Sequence, residues 1–179
     1  MEHVIYDTET TGLVNRATRD LTKQPHVIEF AGIRINSKGK VLRKLEFFCN
    51  PGVKLDDEIR SITNITQEQV DGAKPFKEHF DQLATLFKKA DNAIAHNMAF
   101  DKQLMDFEFK RNNLTWVWPS QMTCTVEATE FIKGRRMKLK ELHEYLFEEG
   151  FEGAHRAMTD VLALTRCVVE LGKRGIIEL

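Results

Sequence analysis

The chain opens with short apolar segments that suit strands. They cover residues 3–7, 27–36 and 41–49, and four residues that include Gly39 separate the last two. Such a spacing predicts a β-hairpin. Residues 14–25 are polar and carry several basic side chains before a proline, which predicts a long, flexible, basic loop. Three strands are therefore expected at the start of the domain, with this loop between the first and the second.

Beyond residue 51 the apolar positions take helical spacing, interrupted by two short apolar runs. Phe76, Phe80, Leu83 and Phe87, for example, indicate one buried helix face. Helices are predicted over 55–62 and 66–70, from 75, from 100, and over 126–132, 138–147 and 156–171, with strands at 93–96 and 122–125. This order predicts an α/β fold. The expected sheet is mixed and five-stranded, antiparallel at first and parallel later, with helices on its faces.

The composition is that of one ordinary domain over residues 1–179. Hydrophobic residues make up 42% of the chain, enough for a core without disulfides. Three cysteines lack the spacing of a zinc knuckle. No apolar run approaches the roughly 18 residues of a membrane span, and the start lacks a signal-peptide pattern, so a cytoplasmic location without a membrane partner is expected. A net charge of −1 alone argues against a nucleic-acid partner.

The first apolar run ends in two acids, Asp7 and Glu9, which one residue separates. Alternate residues of a strand share a face, so both carboxylates point the same way, about 6.5 Å apart along the backbone. Like charges repel there unless something positive lies between them, and divalent cations with oxygen ligands are the usual solution. Two solvated acids at an exposed strand end are the plain alternative, which this spacing alone favours.

Two further clusters carry candidate chemistry. In the first, His96 and Asn97 follow the fourth strand, and Asp101 falls in the first turn of the next helix. A carboxylate there also suits the helix dipole, and a packed polar role would equally explain the histidine. In the second, His155 precedes the last helix and Asp160 lies on its inner side, where an unpaired carboxylate is costly. Each cluster has an ordinary structural explanation when taken alone.

Together the clusters resemble the three motifs of the DEDDh family of 3′→5′ exonucleases, which includes the proofreading subunit of bacterial replicative polymerases. The matching positions are four acids and a histidine, in family order: Asp7, Glu9, Asp101, His155 and Asp160. Segments 7–13, 26–32, 62–66 and 95–101 match as well, and Cys124 and Thr125 before a helix are similar to exonuclease X. Arg156 stands where a sister family has tyrosine. The resemblance covers nearly the whole chain.

The resemblance implies a ribonuclease H-like fold and phosphodiester hydrolysis with two Mg²⁺ ions, for which Mn²⁺ substitutes. It implies that Asp7 bridges both ions. Glu9 and Asp160 would hold the ion beside the attacking water, and Asp101 would hold the other, partly through water. His155 would be the general base that takes the proton of the water, since an imidazole titrates near neutral pH. Removal of an acid is therefore expected to cost more activity than removal of the histidine.

The family also implies contacts to the terminal nucleotide, with Leu13 as a wedge beside its base. The expected substrate-binding residues are Thr8, Thr10, Gly12, Leu13, Ile65, His96, Asn97 and Phe100. Thr63 replaces a histidine that is frequent in the family, which leaves the contact near residues 62–65 open. A run of basic residues precedes and opens the helix expected over 138–147; it consists of Lys133, Arg135, Arg136, Lys138 and Lys140. These cations suit contacts to backbone phosphates. A solvated helix start would explain them equally well.

The expected reaction degrades single-stranded DNA from its 3′ end to nucleoside monophosphates. An exoribonuclease similar to oligoribonuclease or RNase T is one alternative, because no residue settles the sugar. A non-catalytic nucleic-acid-binding or polymerase-accessory module is another, which the presence of all five catalytic positions disfavours. His143 and Glu144 lack the second histidine of a zinc protease motif, and no phosphate-binding glycine loop is present. Some relatives dimerise, so a homodimer stays open.

Two divalent ions change the meaning of the net charge. They would add four positive charges to the net −1 of the chain and bring it to about +3, which favours phosphate. The motifs also occupy almost the whole sequence and leave no room for a polymerase-binding tail. A free-standing exonuclease without a polymerase partner is therefore expected.

Overall fold

A mixed five-stranded sheet forms the centre of the structure, a computed structural model that describes all 179 residues. Its strands are Glu2–Thr10 (β1), Val27–Asn36 (β2), Val41–Phe48 (β3), Asn92–Ala95 (β4) and Gln121–Cys124 (β5). The order across the sheet is β3-β2-β1-β4-β5. The pairs β1–β2 and β2–β3 are antiparallel, whereas β1–β4 and β4–β5 are parallel. The predicted α/β architecture is thereby confirmed.

Eight α-helices surround the sheet. They are Asp57–Thr63 (α1), Gln67–Asp71 (α2), Phe80–Phe87 (α3), Met98–Arg111 (α4), Thr125–Ala128 (α5), Glu130–Lys133 (α6), Leu139–Phe147 (α7) and Ala157–Lys173 (α8). Two expectations differ from the structure. The helix expected from residue 75 begins as a 3-10 turn, Phe76–His79, and the helix expected over 126–132 is divided at Thr129 into α5 and α6.

Strand β1 contributes side chains to both layers of the core. Val4 and Tyr6 belong to the larger hydrophobic cluster, which includes residues of α3 and α4. Ile5 belongs to a second cluster, which includes residues of α8. Successive side chains of a strand point to opposite faces, so Asp7 and Glu9 share the face of Ile5, towards α8. The same alternation places Thr8 on the α4 side.

The loop between β1 and β2 is fixed to α4 rather than flexible as expected. The guanidinium of Arg111 donates hydrogen bonds to the backbone carbonyls of Leu21, Gln24 and Pro25, at 2.7 to 3.2 Å. It also forms an ion pair with Glu108, at 2.7 Å. A partly buried loop needs such partners because its carbonyl groups have no strand or helix to bond. The loop therefore holds a defined course past the end of β1.

The remaining sequence expectations concern cysteines and membranes. Cys49, Cys124 and Cys167 are free and buried. No helix has both the length and the apolar character needed to cross a bilayer.

Candidate active site

Three elements bring the predicted acids to one end of the sheet. Asp7 and Glu9 lie near the end of β1, Asp101 lies in the first turn of α4, and Asp160 lies in the first turn of α8. Strands β1 and β4 are parallel neighbours, while β2 on the other side of β1 runs antiparallel. The carboxyl ends of parallel strands are a common place for a ligand site in α/β proteins.

Asp101 is fixed against β1 by the backbone and the side chain of Thr8. Its Oδ1 accepts hydrogen bonds from the amide of Thr8 at 3.2 Å and from the hydroxyl of Thr8 at 2.8 Å. Asp101 is only 3% exposed. These two bonds hold the first turn of α4 against the end of β1. They leave Oδ2 of Asp101 without a protein donor.

Glu9, His155 and Asp160 form the closest group of metal-ligating side chains. One ligand atom from each lies within 4.8 Å of the others. His155 is exposed and has a positive φ of 67°. Its backbone amide donates to Oδ2 of Asp160 at 2.9 Å. The histidine is therefore held at the site through its backbone.

Burial raises the pKa of all four acids, which we call the acidic cluster (Asp7, Glu9, Asp101 and Asp160). Burial raises the pKa of Glu9 to about 8, with the charges of Asp160 and Glu29 adding to it. Burial raises the pKa of Asp101 to about 7 and that of Asp160 to about 6, although hydrogen bonds to each oppose the rise. The pKa of Asp7 lies well above its usual range because of burial and the charge of Asp101.

The acidic cluster fits divalent cations of the Mg²⁺ or Mn²⁺ type. Such ions prefer carboxylate oxygens, and the cluster supplies these from three elements. Burial disfavours the ionised form of each of these carboxyl groups. A bound cation would favour the ionised carboxylates.

A cleft of about 770 Å³ opens over the site. It is lined by Asp7, His155 and Asp160 and by four cations, which we call the cationic rim: Arg16, Arg136, Lys138 and Lys140. All four rim side chains belong to exposed residues. Arg136 donates to Oδ1 of Asn97 at 3.2 Å, whereas its neighbour Arg135 is paired with Glu141. Three members of the predicted basic run therefore reach the cleft, together with Arg16 from the loop after β1.

The ring nitrogens of His96 are already occupied within the protein, although this residue lines the cleft. Nδ1 lies 2.9 Å from the hydroxyl of Thr125, and Nε2 lies 3.0 Å from the carbonyl of Met137. Burial lowers the pKa of His96 to about 4, so the ring is neutral. These bonds connect β4 to the segment that carries the cationic rim, and the expected contact of His96 with substrate stays a prediction.

Ile65 is a correction to the expected substrate contacts. Its side chain is fully buried in a cluster with Ile28, Leu55 and Val70, so it offers no surface to a nucleotide. Thr63, which stands in place of the family histidine, is also buried, and its hydroxyl donates to the carbonyl of Ile59 at 2.8 Å.

The other expected contacts divide into committed and available groups. The hydroxyl of Thr8 donates to Asp101, and that of Thr10 donates to the carbonyl of Gly12 at 2.8 Å. Phe100 packs against the larger core cluster. Leu13 is 84% exposed, as a wedge must be. Asn97, with a φ of 89°, lines the cleft.

Two residues beside the site escaped the sequence reasoning, Glu29 and Arg156. Glu29 is fully buried in β2, and its carboxylate accepts hydrogen bonds from the guanidinium of Arg156. The signal was a charged residue flanked by apolar residues on both sides within a strand, where burial demands a partner. The partner, 127 positions away, has no local signature.

A sequence model described as an exonuclease matches residues 4–168, which is most of the chain. The chain belongs to this exonuclease family. The match confirms the resemblance to the DEDDh exonucleases that the motifs predict, and it makes the chain a hydrolase by family.

Curated relatives of this exonuclease domain include bacterial DNA polymerases. The PolC-type DNA polymerase III of Lactococcus lactis subsp. lactis (strain IL1403) is 30% identical over 169 residues, which are 92% of this chain and 10% of the polymerase. The chain thus spans about a tenth of the length of the curated relatives it matches. The expectation of a free-standing enzyme stays a prediction.

Solved structures share the fold of this exonuclease domain. The nuclease domain of 3′hExo, described as a DEDDh family member bound to rAMP, superposes with a TM-score of 0.80 at 17% identity, over 98% of this chain and 93% of that one. Exonuclease X in complex with 5′ overhanging duplex DNA gives a TM-score of 0.71 at 19% identity, over 96% and 92%. The expected ribonuclease H-like architecture, a mixed five-stranded sheet flanked by helices, is thereby confirmed.

Proposed function

We propose that this domain is a divalent-metal-dependent 3′→5′ exonuclease that removes nucleoside monophosphates from the 3′ ends of nucleic acids, single-stranded DNA in particular. The observation that carries the proposal is the convergence of Asp7, Glu9 and Asp160 with the exposed His155 at one cleft, where Asp101 bonds the end of β1 through Thr8. Family membership gives the reaction class. The charges of the cleft support the binding of divalent metal ions and of a nucleic-acid backbone.

The acidic cluster would hold two ions, Mg²⁺ or Mn²⁺. We assign Asp7 to both ions, Glu9 and Asp160 to the ion nearer His155, and Asp101 to the other. When bound, such ions supply positive charge that activates a water molecule and stabilises the leaving 3′ oxygen. The fixed hydrogen bonds from Thr8 to Asp101 and from His155 to Asp160 limit the rotation of these two carboxylates.

His155 would act as the general base. Its imidazole lies beside Glu9 and Asp160 and is exposed to the cleft, so it can receive a proton and pass it to solvent. Proton transfer to a positioned side chain contributes about 10²- to 10⁴-fold in rate.

The cationic rim would bind the phosphates of the strand that leads away from the scissile bond. Lys and Arg at such a groove neutralise backbone charge without selecting a base. Arg136 donates a hydrogen bond to the side chain of Asn97, so this guanidinium lies beside the end of β4. Leu13, which follows β1 and is exposed, would contact the terminal base.

One electrophoresis experiment tests direction, metal dependence and sugar preference together. Oligonucleotides of DNA and RNA, labelled at the 5′ end and carrying either a free or a phosphorylated 3′ end, are incubated with Mg²⁺, Mn²⁺ or EDTA. We expect a descending ladder from free 3′ ends of DNA with either metal and no products in EDTA. Immediate release of a short labelled fragment, or activity in EDTA, would refute the proposal. Faster degradation of RNA would replace the DNA preference by the exoribonuclease alternative.

A proofreading role is a second candidate, favoured by the PolC-type polymerases among the relatives. It predicts that a mismatched 3′ terminus is removed faster than a paired one on the same duplex. Equal rates on both would favour the free-standing enzyme.

A further inference from the structure

Glu29 is a fifth carboxylate beneath the acidic cluster. It is fully buried in β2 and lies directly opposite Glu9 in the antiparallel pair of β1 and β2. Like charges directly opposite on one sheet face repel each other. A buried carboxylate at this position therefore needs a fixed cation.

Arg156 is that cation, and its contacts to Glu29 have a defined geometry. Its Nε lies 3.3 Å from each carboxylate oxygen, and its Nη2 lies 3.1 Å from Oε1. The guanidinium also lies 5.3 Å from the ring centroid of Phe48. A planar guanidinium bonded by two nitrogens and covered by a ring has little freedom to rotate.

The same carboxylate fixes the first residue of α8. Oε2 of Glu29 accepts a hydrogen bond from the amide of Ala157 at 3.1 Å, while the side chain of Arg156, the N-cap residue, does not cap the helix itself. Glu29, which belongs to β2, thus takes the place of the N-cap side chain that would usually bond the start of α8. Residues 156 and 157 are both anchored to β2.

His155 is the adjacent residue and depends on these anchors. Its imidazole has no hydrogen-bond partner in the protein, and its backbone has a left-handed conformation with a φ of 67°. The amide of His155 donates to Asp160 on one side, and Arg156 is held by Glu29 on the other. The backbone on both sides of His155 is therefore held by two carboxylates, and this fixes the position from which its imidazole extends.

We propose that Glu29 and Arg156 form a positioning pair that holds His155 in its place over the acidic cluster. This inference rests on the proposed function, in which His155 is the general base. The proposal assigns Glu29 and Arg156 no contact with the reacting atoms; their effect on the rate would pass through the histidine that they position.

A double-mutant cycle tests the proposal. We expect Arg156→Gln to lower kcat about 10- to 100-fold, while KM changes less than twofold. In a His155→Ala background the same substitution should lower kcat less than twofold, because a positioning residue has nothing left to position. Losses that multiply in the double variant would overturn the proposal, as would a raised KM with unchanged kcat.

Conservative variants guard against simple unfolding. Glu29→Gln combined with Arg156→Gln removes both charges, so no unpaired carboxylate is left buried, and this variant should fold and show the same loss of kcat. Arg156→Lys keeps the charge but not the two-nitrogen contact and should be intermediate. Arg174→Gln, which breaks the exposed pair with Glu170 near the end of α8, is the matched control and should retain full kcat. A loss of kcat equal to that of Arg156→Gln in the control would overturn the proposal.

Amide hydrogen exchange separates this inference from the proposed function. If the wild-type protein lacked metal-dependent hydrolysis, the proposed function would fail, but the anchoring could still be measured. We expect at least tenfold faster exchange of the His155 and Ala157 amides in Arg156→Gln, with unchanged exchange in the centre of α8. Unchanged exchange at both amides would overturn the positioning pair.

Discussion

The acidic cluster and the cationic rim line the same site but are built in opposite ways. The acids lie on β1, α4 and α8, with limited exposure and hydrogen bonds that fix Asp101 and Asp160. The rim cations are exposed and lie in a loop or at the start of α7. Metal ligands need positions fixed within tenths of an ångström, whereas long cationic side chains can follow a flexible strand. The difference predicts that substitutions in the cluster affect kcat and that substitutions in the rim affect KM.

The largest effect is expected from a member of the acidic cluster. Asp160→Asn keeps the shape of the side chain but removes the charge proposed to hold a metal ion. We expect a loss of kcat on the order of 10³-fold or more, with weaker Mn²⁺ binding by calorimetry. Glu170→Gln, which removes an exposed carboxylate on the same helix, should retain full activity. Full activity of Asp160→Asn would contradict the site assignment.

A smaller effect is expected from His155, whose hydrogen bond to the acidic cluster is made by its backbone amide. His155→Ala should lower kcat about 10²-fold, less than loss of an acid, because a water can still lose its proton to solvent. Single-turnover assays at saturating metal measure the loss. Mn²⁺ affinity should stay within about threefold of wild type. A large loss of that affinity would make His155 a ligand rather than a base.

The rim should show a weaker effect of a different kind. Arg136→Gln combined with Lys138→Gln should raise KM for a DNA oligonucleotide roughly tenfold with kcat within twofold, because phosphate contacts contribute to binding of ground and transition state alike. The dependence of KM on salt should also become shallower. Arg135→Gln serves as control because Arg135 is paired with Glu141. A fall in kcat without a change in KM would place the rim in the chemistry.

The smallest effect concerns stability in the absence of metal. The folded-state pKa values of Glu9, Asp101 and Asp160 are about 8, 7 and 6, above the ordinary values near 4. Their contribution to folding is therefore complete below pH 4 and is lost as the pH rises to 8. We expect the Tm in EDTA to fall by on the order of 5 °C between pH 5 and pH 8, and Mg²⁺ or Mn²⁺ to restore it. A Tm in EDTA that rises between pH 5 and pH 8 would contradict the raised pKa values of these acids.

The sequence was sufficient for the parts of the site that follow from local periodicity. The alternation of β1 predicts that Asp7 and Glu9 share a face, and the inner stripe of α8 predicts the burial of Asp160. It was insufficient where a contact joins distant segments. His96 bonds Met137 across 41 positions, and Glu29 bonds Arg156 across 127. Ile65 was misassigned because an apolar residue in a motif has the same pattern whether it contacts a ligand or the core.

The alternation of β1 also limits how this exonuclease domain can change over evolutionary time. Insertion or deletion of a single residue between Val4 and Asp7 would move both carboxylates from the α8 face to the α4 face, away from His155 and Asp160. The loop that follows β1 has no alternation of side chains to preserve. Arg111 of α4 holds the last part of the loop, through the carbonyls of Gln24 and Pro25. Changes of length are therefore expected to accumulate in the loop, while β1 changes by substitution at constant length.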